Sequence, residues 1–400
     1  MDLTRYKEKL TRIIDPFVYI YITSFFILSH AIMGTEKYSN FIALMLMGLL
    51  AVYSLYGLKN YVSYYVMAGA LFVGYGFLSS LWALDGPETI VRMMSVLKLF
   101  VLTSLLFNYC VSEKKSDLIF KAIYVAGVMY ACFYILYYSP SYIIRFMKTS
   151  FVGGDRMGYT LGNSNSLSVQ CAFAALIGLY YIIFEKQWAN IFPIALCGVV
   201  VISTASRTGL FVAVAGLFLL IFFRGRGRGK LISLAVIAGL VGLMFLVAQL
   251  PMFRPFYEKI IAGVKGLLKG GDTDYSTGTR LVMIRAAWDC FKQSPLLGIG
   301  MGSSGLIVYG LFEDKSYFHN NFAEVLAGGG LVGFILYYYW YLSGAVRGLL
   351  KNKDDNLVLL SFVLILVGLL SHMGSVTYYD KLSAMLVLGS HVVASLSDRK

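Results

Sequence analysis

Long runs of apolar residues, separated by short polar breaks, repeat from residue 17 to residue 397. A helix that crosses the hydrocarbon core of a bilayer needs roughly 20 predominantly apolar residues, and most of the runs approach that length. Such runs favour membrane-spanning helices, because the surface helices of soluble proteins alternate apolar with polar faces. The pattern predicts twelve spans, at residues 17–34, 40–57, 61–84, 90–111, 118–138, 163–184, 188–206, 208–223, 231–250, 321–346, 355–373 and 382–397.

Composition agrees with this pattern. Hydrophobic residues make up 58% of the 400 positions and charged residues 14%, whereas soluble domains average about 45–50% and about 25%. The apolar runs leave no room for a separate soluble domain of ordinary size. The sequence therefore predicts an all-α polytopic integral membrane protein, with residues 1–400 forming a single membrane domain.

The net charge of +13 fits a membrane protein better than a nucleic-acid-binding protein. Lys and Arg are scattered over loops instead of being collected on one face, and basic residues accumulate in the cytoplasmic loops of membrane proteins. Alternation from the basic N-terminal segment predicts that both termini are cytoplasmic. The expected location is the bacterial inner (cytoplasmic) membrane, with membrane lipid as surroundings and no nucleic acid as partner.

Two long connections fall on the outer side in this topology, at residues 139–162 and 251–320. Both are rich in Lys and Arg, although the outer side is expected to carry few. Long loops are exempt from the positive-inside rule, so the topology stands and the excess charge calls for a functional explanation. The larger connection lies between the ninth and tenth spans.

Within the larger connection, residues 279–293 are expected to form an amphipathic helix at the membrane surface. Its basic residues include Arg280 and Arg285, and Ser294-Pro295 would end it. A glycine-rich stretch at 295–305 would then lead the chain back to the tenth span. The apolar positions at helical spacing are Leu281, Ile284, Ala287, Trp288 and Phe291.

Several charged residues suggest an outward-facing pocket. His319 begins the tenth span, and Arg207 occupies a short turn where a charge is costly unless it faces a cavity or a partner. Guanidinium groups bind phosphate oxygens in pairs, and an imidazole accepts a proton near neutral pH. His372 is a further candidate for this cavity. The alternatives are a structural histidine and arginines that extend to lipid headgroups.

Other sequence signals exclude several activities. No phosphate-binding P-loop, GxSxG, HExxH or aspartate-rich metal motif occurs, so neither a metal nor a cofactor is expected. The five cysteines show no CxxC spacing, and we expect neither a disulfide nor a zinc site. Arg92 and Lys98 lie in the fourth span, where Arg92 is near enough to the outer interface to reach headgroups.

Four segments together resemble the O-antigen ligase and Wzy-type polymerase superfamily. The segments are SRTGL (206–210), GTRLVMIRAAWDCFKQSPLLGIGMG (278–302), HNNFAEVLAGGGLVGFILY (319–337) and RMGYTLGNSNSLSV (156–169). Each is loose by itself, but their order is specific. The resemblance covers the whole chain and is strongest over residues 150–340.

The resemblance implies glycosyl transfer from an undecaprenyl-diphosphate-linked glycan donor to an acceptor hydroxyl at the outer face of the inner membrane. On this interpretation His319, Arg207 and Arg280 are catalytic: the arginines hold the diphosphate and His319 orients or deprotonates the acceptor. Arg285, Arg156, Asn320 and His372 would bind substrate.

Two questions stay open at this point. A polymerase transfers to another lipid-linked repeat and a ligase to lipid A-core; a polymerase is slightly favoured, because no segment is recognisably dedicated to a lipid A-core acceptor. The alternative from another class is a polysaccharide-lipid flippase or transporter. Transporters commonly contain internal repeats and bind at mid-membrane, and neither feature is evident here.

Overall fold

The computed structural model describes residues 3–31, 35–55, 63–153, 157–158, 160–225, 239, 275–313 and 316–397. These described residues form α-helices and two short 3-10 helices, without a strand. In chain order the α-helices are α1 (Leu3–Ala31), α2 (Glu36–Leu55), α3 (Tyr64–Leu78), α4 (Gly86–Ser112), α5 (Leu118–Tyr138), α6 (Pro140–Gly153), α7 (Ser164–Glu185), α8 (Ile191–Ser203), α9 (Arg207–Arg224), α10 (Tyr275–Gln293), α11 (Ser304–Phe312), α12 (Asn321–Asn352), α13 (Asn356–His372) and α14 (Lys381–Leu396).

Eight helices in the described part of the chain are long and apolar enough to cross a membrane. Three shorter apolar helices, Trp188–Ser203, Asn356–His372 and Lys381–Leu396, lie where the sequence also predicts spans. The ninth predicted span, 231–250, falls almost entirely outside the described residues. The all-helical membrane architecture is therefore confirmed, whereas the number of twelve spans stays a prediction.

The chain divides into two compact units. Unit 1 comprises residues 1–18, 43–119 and 279–400, and unit 2 comprises residues 19–42 and 120–278. The segments that resemble the family are divided between them, since Arg207 belongs to unit 2 while Arg280 and His319 belong to unit 1.

Aromatic packing holds the helices of unit 1 together. Helix α12 packs against α3, α13 and α14. The ring of Trp340 lies 5.8 Å from that of Tyr65 and 6.1 Å from that of Phe72, centroid to centroid. Phe72 also lies 5.2 Å from Tyr337. Large rings of this kind bury much apolar surface at a helix contact.

In unit 2, α7 packs against both α8 and α9. Glycines bring these helices close: Gly216 of α9 faces Leu176, and Gly178 of α7 faces Ile194. Small residues at helix interfaces are typical of membrane proteins, because close packing replaces the hydrophobic driving force that lipid removes.

Helix α12 is broken at Gly330, whose φ of 59° and ψ of −163° are not helical. The segment 295–302, which the sequence marked only as glycine-rich, runs beside the break and satisfies the backbone groups there. Unpaired backbone groups are costly at membrane depth, so this pairing stabilises the break. The four N–H···O=C bonds are Ile299 to Ala327 (2.9 Å), Gly300 to Gly328 (2.9 Å), Leu331 to Pro295 (2.8 Å) and Val332 to Leu296 (3.2 Å).

Two helices occupy segments that the sequence presented as connections. Helix α6 fills most of the predicted outer connection 139–162, with Pro140 as its first residue, a position where a missing N–H costs nothing. Helix α11 follows the glycine-rich stretch. Both helices are shorter than a membrane span, and so the hydropathy pattern does not predict them.

Helix α10 forms where the sequence predicts an amphipathic helix, but its buried face differs from the predicted one. Met283, Ala287 and Cys290 are buried, whereas Trp288 is 51% exposed and Ile284 is 36% exposed. Apolar side chains on the outside of a membrane protein are suited to contact with lipid. Helical spacing alone does not distinguish burial in protein from burial in lipid.

Candidate functional site

Unit 1 brings together α10, the segment 295–302, α11 and the start of α12. A small apolar cluster joins these elements beneath the site. Its members are Met283, Ala287, Cys290, Ile299, Val308, Phe318 and Ala327. The cluster explains why residues distant in sequence, such as Arg280 and His319, are held in one region of the unit.

His319 lies in the tight turn between α11 and α12. Its backbone φ is 53°, a left-handed conformation that is uncommon for a residue with a Cβ and marks a constrained position. The imidazole Nε2 is 3.4 Å from the hydroxyl of Ser316, and the ring centroid is 4.3 Å from that of Tyr317. The side chain is therefore oriented by two residues that line a pocket described below.

The pKa of His319 is lowered from its ordinary value of 6.5. Burial is the larger cause, since it disfavours the charged imidazolium, and the positive charge of Arg280 is the second. Both act in the same direction. The imidazole is consequently neutral near pH 7, which is the form that accepts a proton.

Glu324 fixes the turn that carries His319. Its carboxylate is 4% exposed and accepts a hydrogen bond from the backbone N–H of Phe318 at 3.1 Å. The other oxygen accepts from the hydroxyl of Ser304 at 2.5 Å. Because Phe318 directly precedes His319, this carboxylate ties the histidine turn to the first turn of α12 and to the start of α11.

A polar pocket of about 560 Å³, counting the part open to solvent, lies beside this turn. Inside it the guanidinium of Arg92 is 2.9 Å from the carboxylate of Glu88 and 4.5 Å from the ring centroid of Tyr379. The pocket therefore presents hydroxyls, carboxylates and a cation together. The lining residues are Asp85, Glu88, Arg92, Gly302, Ser304, Gly305, Leu306, Ser316, Tyr317, Glu324 and Tyr379.

The two asparagines after His319 have structural bonds. Asn320 caps α12 by accepting from the N–H of Ala323 at 3.0 Å. Asn321 is fully buried, and its amide oxygen accepts from the backbone N–H groups of Thr377 at 2.8 Å and Tyr378 at 3.0 Å. Together they anchor the beginning of α12 to the segment between α13 and α14.

The remaining site predictions in unit 1 lie apart from the pocket lining. His372 is 1% exposed, with Nδ1 at 3.4 Å from the hydroxyl of Tyr338 and its ring 4.6 Å from that of Tyr341. Arg285 is exposed on α10. Arg156, in the range of unit 2, lies outside the described residues.

In unit 2, two of the family-like segments meet. Arg207 is the first residue of α9, directly after the cap Ser206. The Ser206 hydroxyl accepts from the N–H of Gly209 at 3.2 Å and lies 2.9 Å from the side-chain oxygen of Asn165, to which it donates. A helix N-terminus carries partial positive charge, so Arg207 adds a full charge at a position that already favours anions.

Several charged and aromatic residues of the pocket had no role assigned from the sequence. Arg92 was noted as a charge within a span, and Glu324 is the glutamate of the HNNFAE segment. Glu88 lies in a predicted interhelical loop, and Tyr379 lies in another. The fold brings them to one pocket by placing Arg92 of α4 beside Gly302 and the 374–380 segment beside Asn321, and no spacing in the sequence indicates that.

The comparisons with known proteins bear on residues of both units. A family model described as O-antigen ligase matches residues 192–338, a range that includes Arg207, Arg280, Arg285 and His319. A comparison with curated proteins found no match. The family supports glycan transfer at a membrane in O-antigen assembly. The predicted resemblance is thus confirmed over residues 192–338, where this multi-pass membrane protein matches the O-antigen ligase family model.

Proposed function

We propose that the protein is a membrane glycosyltransferase of surface-polysaccharide assembly. It would move an undecaprenyl-diphosphate-linked glycan to an acceptor hydroxyl at the outer face of the inner membrane. The observation that carries the proposal is the His319 turn, which the buried Glu324 holds beside a pocket of hydroxyl and carboxylate groups. Burial and Arg280 both lower the pKa of this imidazole. A proton acceptor beside a cation suits transfer from a diphosphate to a hydroxyl.

The reaction step balances without a further reactant. The acceptor oxygen forms a bond to the anomeric carbon of the donor while the bond from that carbon to the diphosphate oxygen breaks. The proton of the acceptor hydroxyl passes to the imidazole of His319, and the electron pair of the broken bond leaves with the undecaprenyl diphosphate. Direct displacement of this kind inverts the anomeric centre.

The arginines have separate proposed roles. Arg280 stabilises the charge that develops on the leaving diphosphate, and it also keeps His319 neutral. Arg207, at the N-terminus of α9, is the second proposed phosphate ligand. Arg285 and Arg156 are proposed to bind substrate more peripherally. A preorganised guanidinium group binds two phosphate oxygens at once through parallel N–H···O bonds. This geometry both positions the phosphate and stabilises its charge.

The proposed acceptor is another lipid-linked repeat, as in a polymerase. The family description favours a ligase as the second candidate, with lipid A-core as its acceptor. Both candidates use the same base and the same leaving group, and so they differ in the product and not in the step. Asn320 and His372 are the remaining residues proposed to bind substrate.

The test uses purified protein in detergent with an undecaprenyl-diphosphate-linked oligosaccharide, followed by mass spectrometry. Products longer by whole repeats, with undecaprenyl diphosphate released, are the expected result for a polymerase. Transfer that requires added lipid A-core would identify a ligase. Movement of intact donor across vesicle membranes without any consumption would refute the transferase and support a flippase.

The matched control is Lys292→Ala. Lys292 lies on the same helix as Arg280 but is paired with Asp289 on an exposed surface, with 3.1 Å between the charged atoms. If Arg280→Ala loses transfer and Lys292→Ala retains it, the effect is due to the position of Arg280 and not to the loss of any positive charge on α10. Equal activity of the two variants would remove Arg280 from the proposed mechanism.

A further inference from the structure

A second pocket of unit 1 lies at the other end of α12. It has a volume of about 350 Å³, counting the part open to solvent, and it is formed where α3 begins and where α12 and α14 approach their C-terminal ends. Its polar lining includes Ser63, Tyr64, Arg347, Lys351 and His391. None of these residues belongs to the site described above.

The charges of this second pocket have one sign. Arg347 and Lys351 line it, and none of the described residues of its lining is an Asp or a Glu. The guanidinium of Arg347 lies 3.8 Å from the ring centroid of Tyr64, which holds it in place by a cation–π interaction. Within the described residues, Arg347 forms no ion pair with a carboxylate. A fixed cation with unused N–H donors is suited to an anionic ligand.

The start of α3 adds to the positive potential. Ser63 caps the helix by accepting from the N–H of Val66 at 3.3 Å, so the first helical N–H groups are directed toward this end of the unit. Helix N-termini attract anions through these groups and the helix dipole. The buried imidazole of His391, 3.1 Å from the carbonyl of Trp340 through Nε2, forms a polar inner wall.

The two pockets are far apart along α12. Glu324 lines the first pocket and Arg347 the second, and both belong to α12. At 1.5 Å per residue the regular part of α12 between them, from Leu331 to Arg347, alone spans about 24 Å, which is most of the thickness of the hydrocarbon core. For a helix that crosses the bilayer, this separation puts the two pockets near opposite membrane interfaces, where lipid headgroups are present on each side.

We propose that the Arg347 pocket binds a phosphate group at the interface opposite the transfer site. Arg347 and Lys351 contact the phosphate oxygens, and the ring of Tyr64 holds the guanidinium in the pocket. Basic pockets between membrane helices at this depth suit anionic headgroups. The phosphate belongs to a membrane phospholipid or to a soluble phosphate compound. This site does not depend on the proposed transferase activity.

The test is native mass spectrometry of the full-length protein in detergent, with phosphatidylglycerol or phosphatidylcholine added. We expect retained phosphatidylglycerol, and binding weaker by about tenfold or more in Arg347→Ala, as the loss of hydrogen bonds from a charged donor implies. Phosphatidylcholine is expected to bind more weakly, since its ammonium opposes the two cations.

The matched control is Arg224→Ala. Arg224 also lies at a helix end over an aromatic ring, 5.6 Å from the centroid of Phe184, but it does not line the Arg347 pocket. The proposal is overturned if Arg347→Ala retains phosphatidylglycerol as well as Arg224→Ala and the wild type do. If Arg347→Ala does not fold, Arg347→Gln and Lys351→Ala give the same comparison with smaller losses.

A final arm distinguishes the source of the phosphate. Inorganic phosphate is added to delipidated protein, and the unfolding temperature is measured with and without it. An Arg347-dependent rise in the unfolding temperature without lipid retention identifies a soluble phosphate compound, and lipid retention that inorganic phosphate does not displace identifies a phospholipid. The absence of both an Arg347-dependent rise and lipid retention refutes the site.

Discussion

The two ends of α12 differ in how their charges are organised. At the first end, Glu324 is buried and bonded to a turn and to a neighbouring helix, while Arg92 is paired with Glu88. At the second end, Arg347 is held by an aromatic ring, and none of the described lining residues of the pocket is an Asp or a Glu. Such a cationic pocket suffices to hold a phosphate. Proton transfer needs more, because a neutral base has to be fixed in one orientation.

The backbone of α12 also differs between its two ends: it is broken near the first end and regular toward the second. Near the first end, α12 is broken at Gly330 and is paired with the segment 295–302. Beyond the break the helix continues to Asn352. Breaks in membrane helices occur where backbone groups line a cavity or are covered by protein. The broken end is the end to which we assign the proposed transfer site, and the regular end forms the proposed phosphate pocket.

Gly330→Ala should have the largest effect on this comparison. A Cβ at Gly330 would overlap the carbonyl of Leu296, and its positive φ is unfavourable for alanine. Strain and overlap together should cost about 3 kcal/mol or more of unfolding free energy, and transfer should be lost. Thermal unfolding and the transfer assay measure the two effects. The control is Gly48→Ala, because a Cβ added at Gly48 would meet nothing within 4 Å.

Stability and activity both unchanged in Gly330→Ala would contradict the role given to the break. Loss of stability in Gly48→Ala as well would indicate that α2 is sensitive to any added methyl group, and a second open position, Gly198, would then serve as control.

Glu324→Gln should have the next largest effect. An amide still accepts one hydrogen bond, but the charge that strengthens the bonds to Phe318 and Ser304 is lost. We expect transfer to fall by about tenfold, consistent with roughly 1.5 kcal/mol for a hydrogen bond to a charged group. The fall should be in kcat more than in KM, since Glu324 acts through the His319 turn. A fall confined to KM, with kcat equal to that of the wild type, would contradict this positioning role.

The pH dependence of transfer should be a smaller effect than the losses in Gly330→Ala and Glu324→Gln. Only unprotonated His319 accepts a proton, and burial and Arg280 lower the pKa of His319 below 6.5. As pH falls, the acidic decline of kcat/KM should therefore have its midpoint below pH 6.5. In Arg280→Ala the residual activity should decline at higher pH, because a cation that lowers the pKa is gone. An acidic limb with its midpoint above pH 6.5 in the wild type would contradict this assignment.

Chelation should have the smallest effect. The proposed charge stabilisation comes from guanidinium groups, so EDTA should leave the transfer rate unchanged. The measurement is the rate before and after treatment with the chelator. Loss of transfer that magnesium restores would contradict the proposed role of the arginines.

The spans were the easiest part of the fold to predict from the sequence. Predicted spans 118–138 and 163–184 correspond to Leu118–Tyr138 and Ser164–Glu185, because long apolar runs fix helix positions directly. The break in α12 was not predictable in this way. The sequence shows consecutive glycines at 328–330, but which of them leaves the helix depends on backbone contacts with the distant segment 295–302.

The candidate site was predictable in part. His319 and Arg280 were identified from residue type and position, and the structure places both in unit 1, where Arg280 lowers the pKa of His319. The connection of Glu324 to Ser304, and of Arg92 to Tyr379, arises from helix packing that no local pattern encodes. His372 shows the converse, since its position near a span end gave no sign of the aromatic residues that surround it.

The most direct test of the account compares His319→Ala and Arg347→Ala in one preparation, measuring glycan transfer and phosphatidylglycerol retention. His319→Ala should lose transfer by roughly 10²–10⁴-fold, as removal of a general base implies, and should retain the lipid. Arg347→Ala should show the reverse, with transfer retained and the lipid lost. Full transfer in His319→Ala would contradict the central claim that the first end of α12 carries the base of a glycosyl transfer.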